Sequence, residues 1–131
     1  MRMTGSCLLD TSIVIALFKG DPLVKKGLAE KAEVFVSSIV LGELYFGARK
    51  SMKTDEGIAL IAEFAEAMPV LGCDERTARE YGIIKNDLRV KGRPIPENDI
   101  WNAAIARQYG LALISRDEHY DSVSGLKVEK W

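Results

Sequence analysis

The chain has 131 residues, of which 47% are hydrophobic and 28% are charged, proportions that are ordinary for a globular protein. Its 18 basic and 19 acidic side chains leave a formal net charge of −1, so bulk charge does not indicate nucleic-acid binding. No apolar stretch approaches the roughly 20 residues that span a bilayer, and the N-terminus lacks the pattern of a signal peptide. We therefore expect residues 1–131 to form a single domain in the cytoplasm, with no membrane association.

The two cysteines, Cys7 and Cys73, are not spaced as metal ligands and fall in or beside predicted core strands. A free cysteine in such a position usually behaves as a small buried hydrophobe. We predict that both thiols are reduced and buried.

Short apolar strands alternate with helical stretches along the chain, and such helical connections require parallel pairing of the strands. The predicted strands are 6–9, 34–36, 70–71, 111–115 and 126–128. The predicted helices are 13–19, 23–31, 39–49, 54–67, 75 to about 90, and 96 or 97 to 109. We therefore predict an α/β fold, a three-layer sandwich with a central, mainly parallel sheet of about five strands.

Four acidic residues follow strands or begin helices in this predicted fold. Asp10 comes directly after the first strand, Asp117 follows the strand at 111–115, and Glu43 and Asp99 lie early in helices. An open parallel sheet binds ligands in the crevice beyond the carboxyl ends of its strands. A carboxylate in that crevice is costly unless it is paired or holds a cation, so the four acids predict a metal site.

The types of donor narrow the choice of metal. Clusters of oxygen ligands favour Mg²⁺ or Mn²⁺, whereas zinc usually takes histidine or cysteine ligands. The chain has one histidine, His119, which argues against zinc and against a catalytic triad; we predict that it packs in a loop with Tyr120. An ion held by carboxylates lowers the pKa of a bound water and neutralises the charge of a phosphodiester. This set of residues therefore best supports metal-dependent phosphodiester hydrolysis.

Three polar neighbours are candidates for orienting the carboxylates. Thr11 and Ser115 carry hydroxyls next to predicted metal ligands, and such groups commonly hydrogen bond to ligand carboxylates. Asn102 lies three residues after Asp99 and therefore shares its helical face.

Other interpretations of the acids remain open at this stage. Each acid alone could be structural: Asp10 and Asp99 could stabilise a helix N-terminus, and Asp117 could be a turn residue. A phosphotransferase of the haloacid dehalogenase type would carry a second aspartate two residues after Asp10, where this chain has Ser12. A receiver-like or protein-interaction domain could bind Mg²⁺ with the same acids and have no nuclease activity.

Four segments together carry a resemblance to a known family. They are similar to segments of PIN-domain ribonucleases, most closely the VapC-type toxins of prokaryotic toxin–antitoxin pairs, and the resemblance extends over essentially the whole chain. The segments are 8–12 (LLDTS), 37–44 (SSIVLGEL), 94–101 (PIPENDIW) and 115–117 (SRD).

This resemblance implies an endoribonuclease that uses Mg²⁺ or Mn²⁺ and leaves a 5′-phosphate and a 3′-hydroxyl. It implies that Asp10, Glu43, Asp99 and Asp117 form both the catalytic set and the metal-binding set. It also implies a homodimer, an RNA substrate and a small antitoxin of VapB type that covers the acidic pocket.

The sequence also suggests where RNA and the antitoxin would bind. Basic residues near the acids, such as Lys85, Arg89, Lys91 and Arg116, are candidates for holding the RNA backbone. The first helix carries Ile15 and Phe18 at helical spacing, which favours an apolar groove for an antitoxin segment. We expect that partner to place a basic side chain near the acids, in competition with metal.

Overall fold

A five-stranded sheet forms the centre of the computed structural model, which describes residues 4–131. The strands are β1 (Thr4–Leu9), β2 (Lys31–Ser37), β3 (Val70–Leu71), β4 (Ala112–Ile114) and β5 (Val128–Glu129). They are ordered β3-β2-β1-β4-β5, and every neighbouring pair is parallel. The predicted parallel sheet of about five strands is therefore confirmed.

Helices connect the strands and cover both faces of the sheet. They are α1 (Thr11–Phe18), α2 (Pro22–Ala29), α3 (Ser38–Lys50), α4 (Thr54–Ala67), α5 (Glu75–Lys91) and α6 (Glu97–Tyr109), with a 3₁₀ helix at Glu118–Ser122. Side chains alternate along β1, so Cys7 and Leu9 pack with α1, α3 and α4, whereas Leu8 packs with α5 and α6. The sheet and the helices on its two faces form the three-layer sandwich that the sequence predicts. Within residues 4–131, no helix is both long enough and apolar enough to cross a membrane.

The largest boundary error of the sequence prediction lies between α2 and β2. The prediction continued α2 to Lys31 and began the strand at Val34, but α2 ends at Ala29 and β2 begins at Lys31. The strand is longer because Lys31 pairs with Thr4 of β1, a contact that hydrophobic periodicity does not reveal.

The prediction for the cysteines is half wrong. Cys7 is fully buried in β1, and burial raises the pKa of its thiol to about 11. Cys73 is exposed, because it lies beyond the two-residue strand β3, in the segment that leads to the capping box of α5 at Asp74. The prediction of a buried thiol is therefore correct for Cys7 and wrong for Cys73.

Ser37 joins the end of β2 to the start of α3. Its hydroxyl oxygen accepts a hydrogen bond from the Val40 N–H at 3.0 Å, which caps α3. The same hydroxyl donates to Oδ1 of Asn102 on α6 at 2.6 Å, and both side chains are fully buried. One hydroxyl therefore fixes α3 relative to α6, the two helices that carry Glu43 and Asp99.

We expect Ser37→Ala to lower the free energy of unfolding by about 1–3 kcal/mol, because it removes a helix cap and leaves a buried amide oxygen without its donor. The matched control is Ser38→Ala, at an exposed position one residue along, which should change stability by less than about 0.5 kcal/mol. Urea unfolding of the two variants measures the difference. Equal stabilities would show that the Ser37 hydroxyl does not hold the two helices together.

Candidate metal centre

The structure brings the four predicted acids together at the carboxyl edge of the sheet. Asp10 follows β1, Asp117 follows β4, Glu43 lies in the second turn of α3, and Asp99 lies in the first turn of α6. Shared contacts with Tyr120 and His119 connect Asp10, Asp99 and Asp117, and Glu43 lies within reach of the charges of Asp10 and Asp99. The convergence follows from parallel pairing, which places every strand end at the same edge.

Asp10 is the most buried of the four, with 6% of its surface exposed. Its Oδ2 accepts a hydrogen bond from the Ser115 hydroxyl at 2.8 Å, and its Oδ1 accepts one from the Tyr120 hydroxyl at 3.1 Å. Asp10 occupies the N-cap position of α1, yet its side chain makes no capping hydrogen bond. The interpretation of Asp10 as a simple helix cap is therefore not supported.

Asp99 lies beside Asp10 and shares a hydrogen-bond donor with it. Its Oδ1 is 3.2 Å from the Tyr120 hydroxyl, and its Oδ2 is 3.0 Å from Nδ1 of His119. Burial raises the pKa of Asp99, and the negative charge of Asp10 adds to this, although the bonds from His119 and Tyr120 oppose it. This carboxyl group therefore holds a proton more tightly than an isolated aspartate.

Glu43 faces the same centre from α3. Its Oε1 accepts a hydrogen bond from the Thr11 hydroxyl at 3.1 Å. Burial raises the pKa of Glu43, and the charges of Asp10 and Asp99 raise it further against the effect of Thr11. The carboxylate of Glu43 therefore lies close enough to Asp10 and Asp99 to interact with their charges.

Asp117 has the weakest link to the centre. Its side chain is 39% exposed, and its Oδ1 accepts a hydrogen bond from the His119 backbone N–H at 2.9 Å, as expected of a turn residue. The same Oδ1 lies 3.1 Å from Nδ1 of His119, and one ligand atom each of Asp99, Asp117 and His119 fall within 4.8 Å of one another. Asp117 therefore combines a local structural role with a place at the edge of the cluster.

Sequence reasoning missed the part played by Tyr120. This residue is fully buried, and its hydroxyl is the donor that Asp10 and Asp99 share. Burial, followed by the charges of both aspartates, raises the pKa of the hydroxyl far above its usual range, so it remains a donor. A buried tyrosine needs a partner for its hydroxyl, and its position three residues after Asp117 was the only signal in the sequence.

The three predicted neighbours divide into two groups. Thr11 and Ser115 each donate a hydrogen bond to a carboxylate of the cluster, at 3.1 Å and 2.8 Å. Asn102 makes no hydrogen bond to any of the four acids; its Oδ1 instead accepts the bond from Ser37. Asn102 therefore helps to position α3 and α6.

The cluster fits a metal ion because its carboxylate oxygens outnumber the hydrogens that neighbouring groups offer them. The hydroxyl of Tyr120 and Nδ1 of His119 each offer one hydrogen and each face two carboxylate oxygens. Within residues 4–131, no lysine or arginine forms an ion pair with any of the four acids. Clustered carboxylate oxygens that share their donors are the ligands that a hard divalent cation takes.

The parallel sheet and the carboxylates at its edge define an α/β protein with an oxygen-rich site. Comparisons with known proteins identify its family. The PIN domain family matches residues 7–126. Ribonuclease VapC2 of Haemophilus influenzae is 38% identical over 95% of this chain and 96% of its own length. The tRNA(fMet)-specific endonuclease VapC of Shigella flexneri is 32% identical over the same shares.

A solved structure agrees with these sequence relatives. VapBC-1 from nontypeable Haemophilus influenzae matches with a TM-score of 0.89 and 28% identity, covering 98% of each chain. The chain belongs to the PIN-domain family, among the VapC ribonucleases. This membership favours the nuclease over the receiver-like alternative.

The raised pKa of Asp99 predicts how metal-free stability depends on this residue. A raised folded-state pKa contributes stability that is complete below the unfolded pKa and is lost as the pH rises through the folded value. Near neutral pH, Asp99→Asn removes a destabilising charge, so the metal-free variant should melt at or above the wild-type temperature. Added Mn²⁺ should raise the melting temperature of the wild type more than that of the variant.

Glu63→Gln is the control for this experiment, since it removes one charge from an exposed position of α4. It should change stability by no more than about 0.5 kcal/mol and leave the response to Mn²⁺ intact. If metal-free Asp99→Asn melted well below both the wild type and Glu63→Gln, the Asp99 carboxylate would stabilise the fold, as a negative charge near a helix N-terminus does.

Proposed function

We propose that this chain is a metal-dependent endoribonuclease, a single PIN-like nuclease domain over residues 1–131, and the toxin of a VapBC-type toxin–antitoxin pair. Membership among the VapC ribonucleases supports the reaction class, hydrolysis of phosphodiester bonds in RNA. The observation that supports the metal requirement is that carboxylates converge at the edge of the sheet and share single donors, the Tyr120 hydroxyl and Nδ1 of His119.

The four acids take the catalytic and metal-binding roles in this proposal. Asp10, Glu43 and Asp99 would hold Mg²⁺ or Mn²⁺, with Asp117 at the margin. When bound, the ion supplies a water of lowered pKa and neutralises charge on the scissile phosphate. The protein's own contribution is orientation, which depends on hydrogen bonds that Ser115, Tyr120 and Thr11 donate to the carboxylates.

Several of the basic residues predicted to hold RNA are paired within the protein. Lys85 lies 3.1 Å from Glu97, Lys91 lies 2.8 Å from Asp87, and Arg116 lies 2.8 Å from Asp21. These are exposed or partly exposed pairs, and such pairs contribute little to stability. An RNA phosphate would therefore displace such a carboxylate at small cost.

RNA cleavage by the purified protein should require Mg²⁺ or Mn²⁺, stop in excess chelator, and not be restored by Ca²⁺, which prefers more ligands and looser geometry. Asp10→Asn should abolish cleavage while leaving the protein folded, because the amide keeps the shape of the side chain. Asp55→Asn makes the same change at an exposed position of α4 and should leave cleavage unaltered. Undiminished cleavage in chelator would refute the metal-dependent mechanism.

An apolar groove beside the acids is the proposed site for the antitoxin. It has a volume of about 230 Å³ and lies between α1, α3 and α4. Its lining residues include Thr11, Ile15, Phe18, Glu43, Leu44 and Leu60. Phe18 is less available than the sequence suggested, because its ring packs edge-on against Phe64 at 5.4 Å. Apolar walls that end at a carboxylate favour an amphipathic segment that carries a basic side chain.

Leu60→Glu should weaken binding of the cognate antitoxin on the order of tenfold or more, because it places a charge on an apolar wall of the groove. RNA cleavage by the free variant should be unchanged. Leu23→Glu is the control: Leu23 is also exposed, at 61%, but lies on α2 outside the groove. Titration of the immobilised antitoxin measures both affinities, and equal affinities would place the antitoxin on another surface.

The homodimer that the family resemblance implies has a candidate face on α5. Ile83 and Val90 are seven residues apart, share one side of this helix, and are 57% and 70% exposed. We propose this side of α5 as part of the contact between two copies of the chain.

A further inference from the structure

His119 lies at the edge of the acidic cluster, where the sequence predicted only a loop residue. Its Nδ1 is 3.0 Å from Oδ2 of Asp99 and 3.1 Å from Oδ1 of Asp117. The side chain is 47% exposed, so its position is not imposed by close packing in the core. It is the only histidine in the sequence.

Hydrogen bonding accounts for only part of this arrangement. Nδ1 carries at most one hydrogen, which points well at one carboxylate oxygen and poorly at a second. The ligand atoms of Asp99, Asp117 and His119 all lie within 4.8 Å of one another. Neighbouring ligands of an octahedral ion with bonds of about 2.1 Å are about 3 Å apart, which matches both distances from Nδ1.

We propose that Nδ1 of His119 is a ligand of the metal ion, together with the carboxylates, and that this nitrogen shifts the site from Mg²⁺ towards transition-metal ions such as Mn²⁺. The inference rests on the proposed metal-dependent function and adds a residue and a selectivity to it. Imidazole nitrogen binds transition metals in preference to Mg²⁺, which keeps oxygen ligands and water. In the bound state the ring carries its hydrogen on Nε2, and any hydrogen on Nδ1 passes to solvent.

The competing role for His119 has the opposite consequence. A ring that only donates a hydrogen bond would occupy carboxylate oxygens that the ion needs, so removing it would strengthen metal binding. A ligand that is removed weakens binding, and more for Mn²⁺ than for Mg²⁺. The sign of the change therefore distinguishes the two roles.

Pulsed electron paramagnetic resonance of the full chain loaded with Mn²⁺ tests the ligand directly. The wild type should show modulation from a directly bound imidazole nitrogen, and His119→Phe should lose it. Glu118→Gln, which alters the exposed neighbouring residue, is the matched control and should keep the signal. Bound Mn²⁺ with no nitrogen modulation in the wild type would overturn the assignment of His119 while leaving the metal requirement intact.

Calorimetric titration with Mn²⁺ and Mg²⁺ supplies the second measurement. In His119→Phe, the affinity for Mn²⁺ should fall on the order of tenfold, and the affinity for Mg²⁺ by clearly less. His119→Gln retains a hydrogen-bond donor and should resemble His119→Phe. Recovery of Mn²⁺ affinity in His119→Gln, or tighter binding in either variant, would overturn the proposal. Failure of the wild type to bind either ion would overturn both this inference and the metal-dependent function.

Discussion

Repulsion between carboxylates that share too few hydrogen-bond donors is the constraint on which this edge of the molecule depends. Asp10 and Asp99 face one tyrosine hydroxyl, and Asp99 and Asp117 face one imidazole nitrogen. Two carboxylates about 4 Å apart at an effective dielectric near 20 repel by roughly 4 kcal/mol before solvent reduces the effect. Such a cluster persists only where the surrounding fold prevents its members from separating.

The fold supplies that restraint from three directions. Asp10 is held at the end of the central strand β1, which has strands on both sides. Glu43 and Asp99 are held by helices on opposite faces of the sheet, and the Ser37–Asn102 hydrogen bond joins those helices beside the site. Moving Asp10, Glu43 or Asp99 away from the others would therefore disturb a buried apolar cluster or a buried polar bond, and that cost opposes the repulsion.

The sequence predicted the strands well, and also that the four acids meet at one edge of the sheet, because both follow from local pattern and parallel topology. The carboxyl ends of parallel strands must meet, so the approximate position of Asp10 or Asp117 needs no tertiary detail. The contacts of Tyr120 and His119 with the acids were not predicted, because their directions depend on the 3₁₀ helix at Glu118–Ser122, whose geometry no periodicity encodes. The link through Asn102 was missed for a similar reason: its helical face was predicted, but its partner is 65 residues away.

In the proposed function, the same carboxylates connect catalysis with inhibition. Glu43 belongs both to the acidic cluster and to the apolar groove between α1, α3 and α4. A segment bound in that groove would lie beside the Glu43 carboxylate, and a basic side chain on it would donate hydrogen bonds to the cluster. A metal ion and such a side chain satisfy the same oxygens, so each excludes the other. The repulsion that would favour binding of an ion would thus also favour a cationic inhibitor at the same oxygens, so the proposal needs only one cluster for both states.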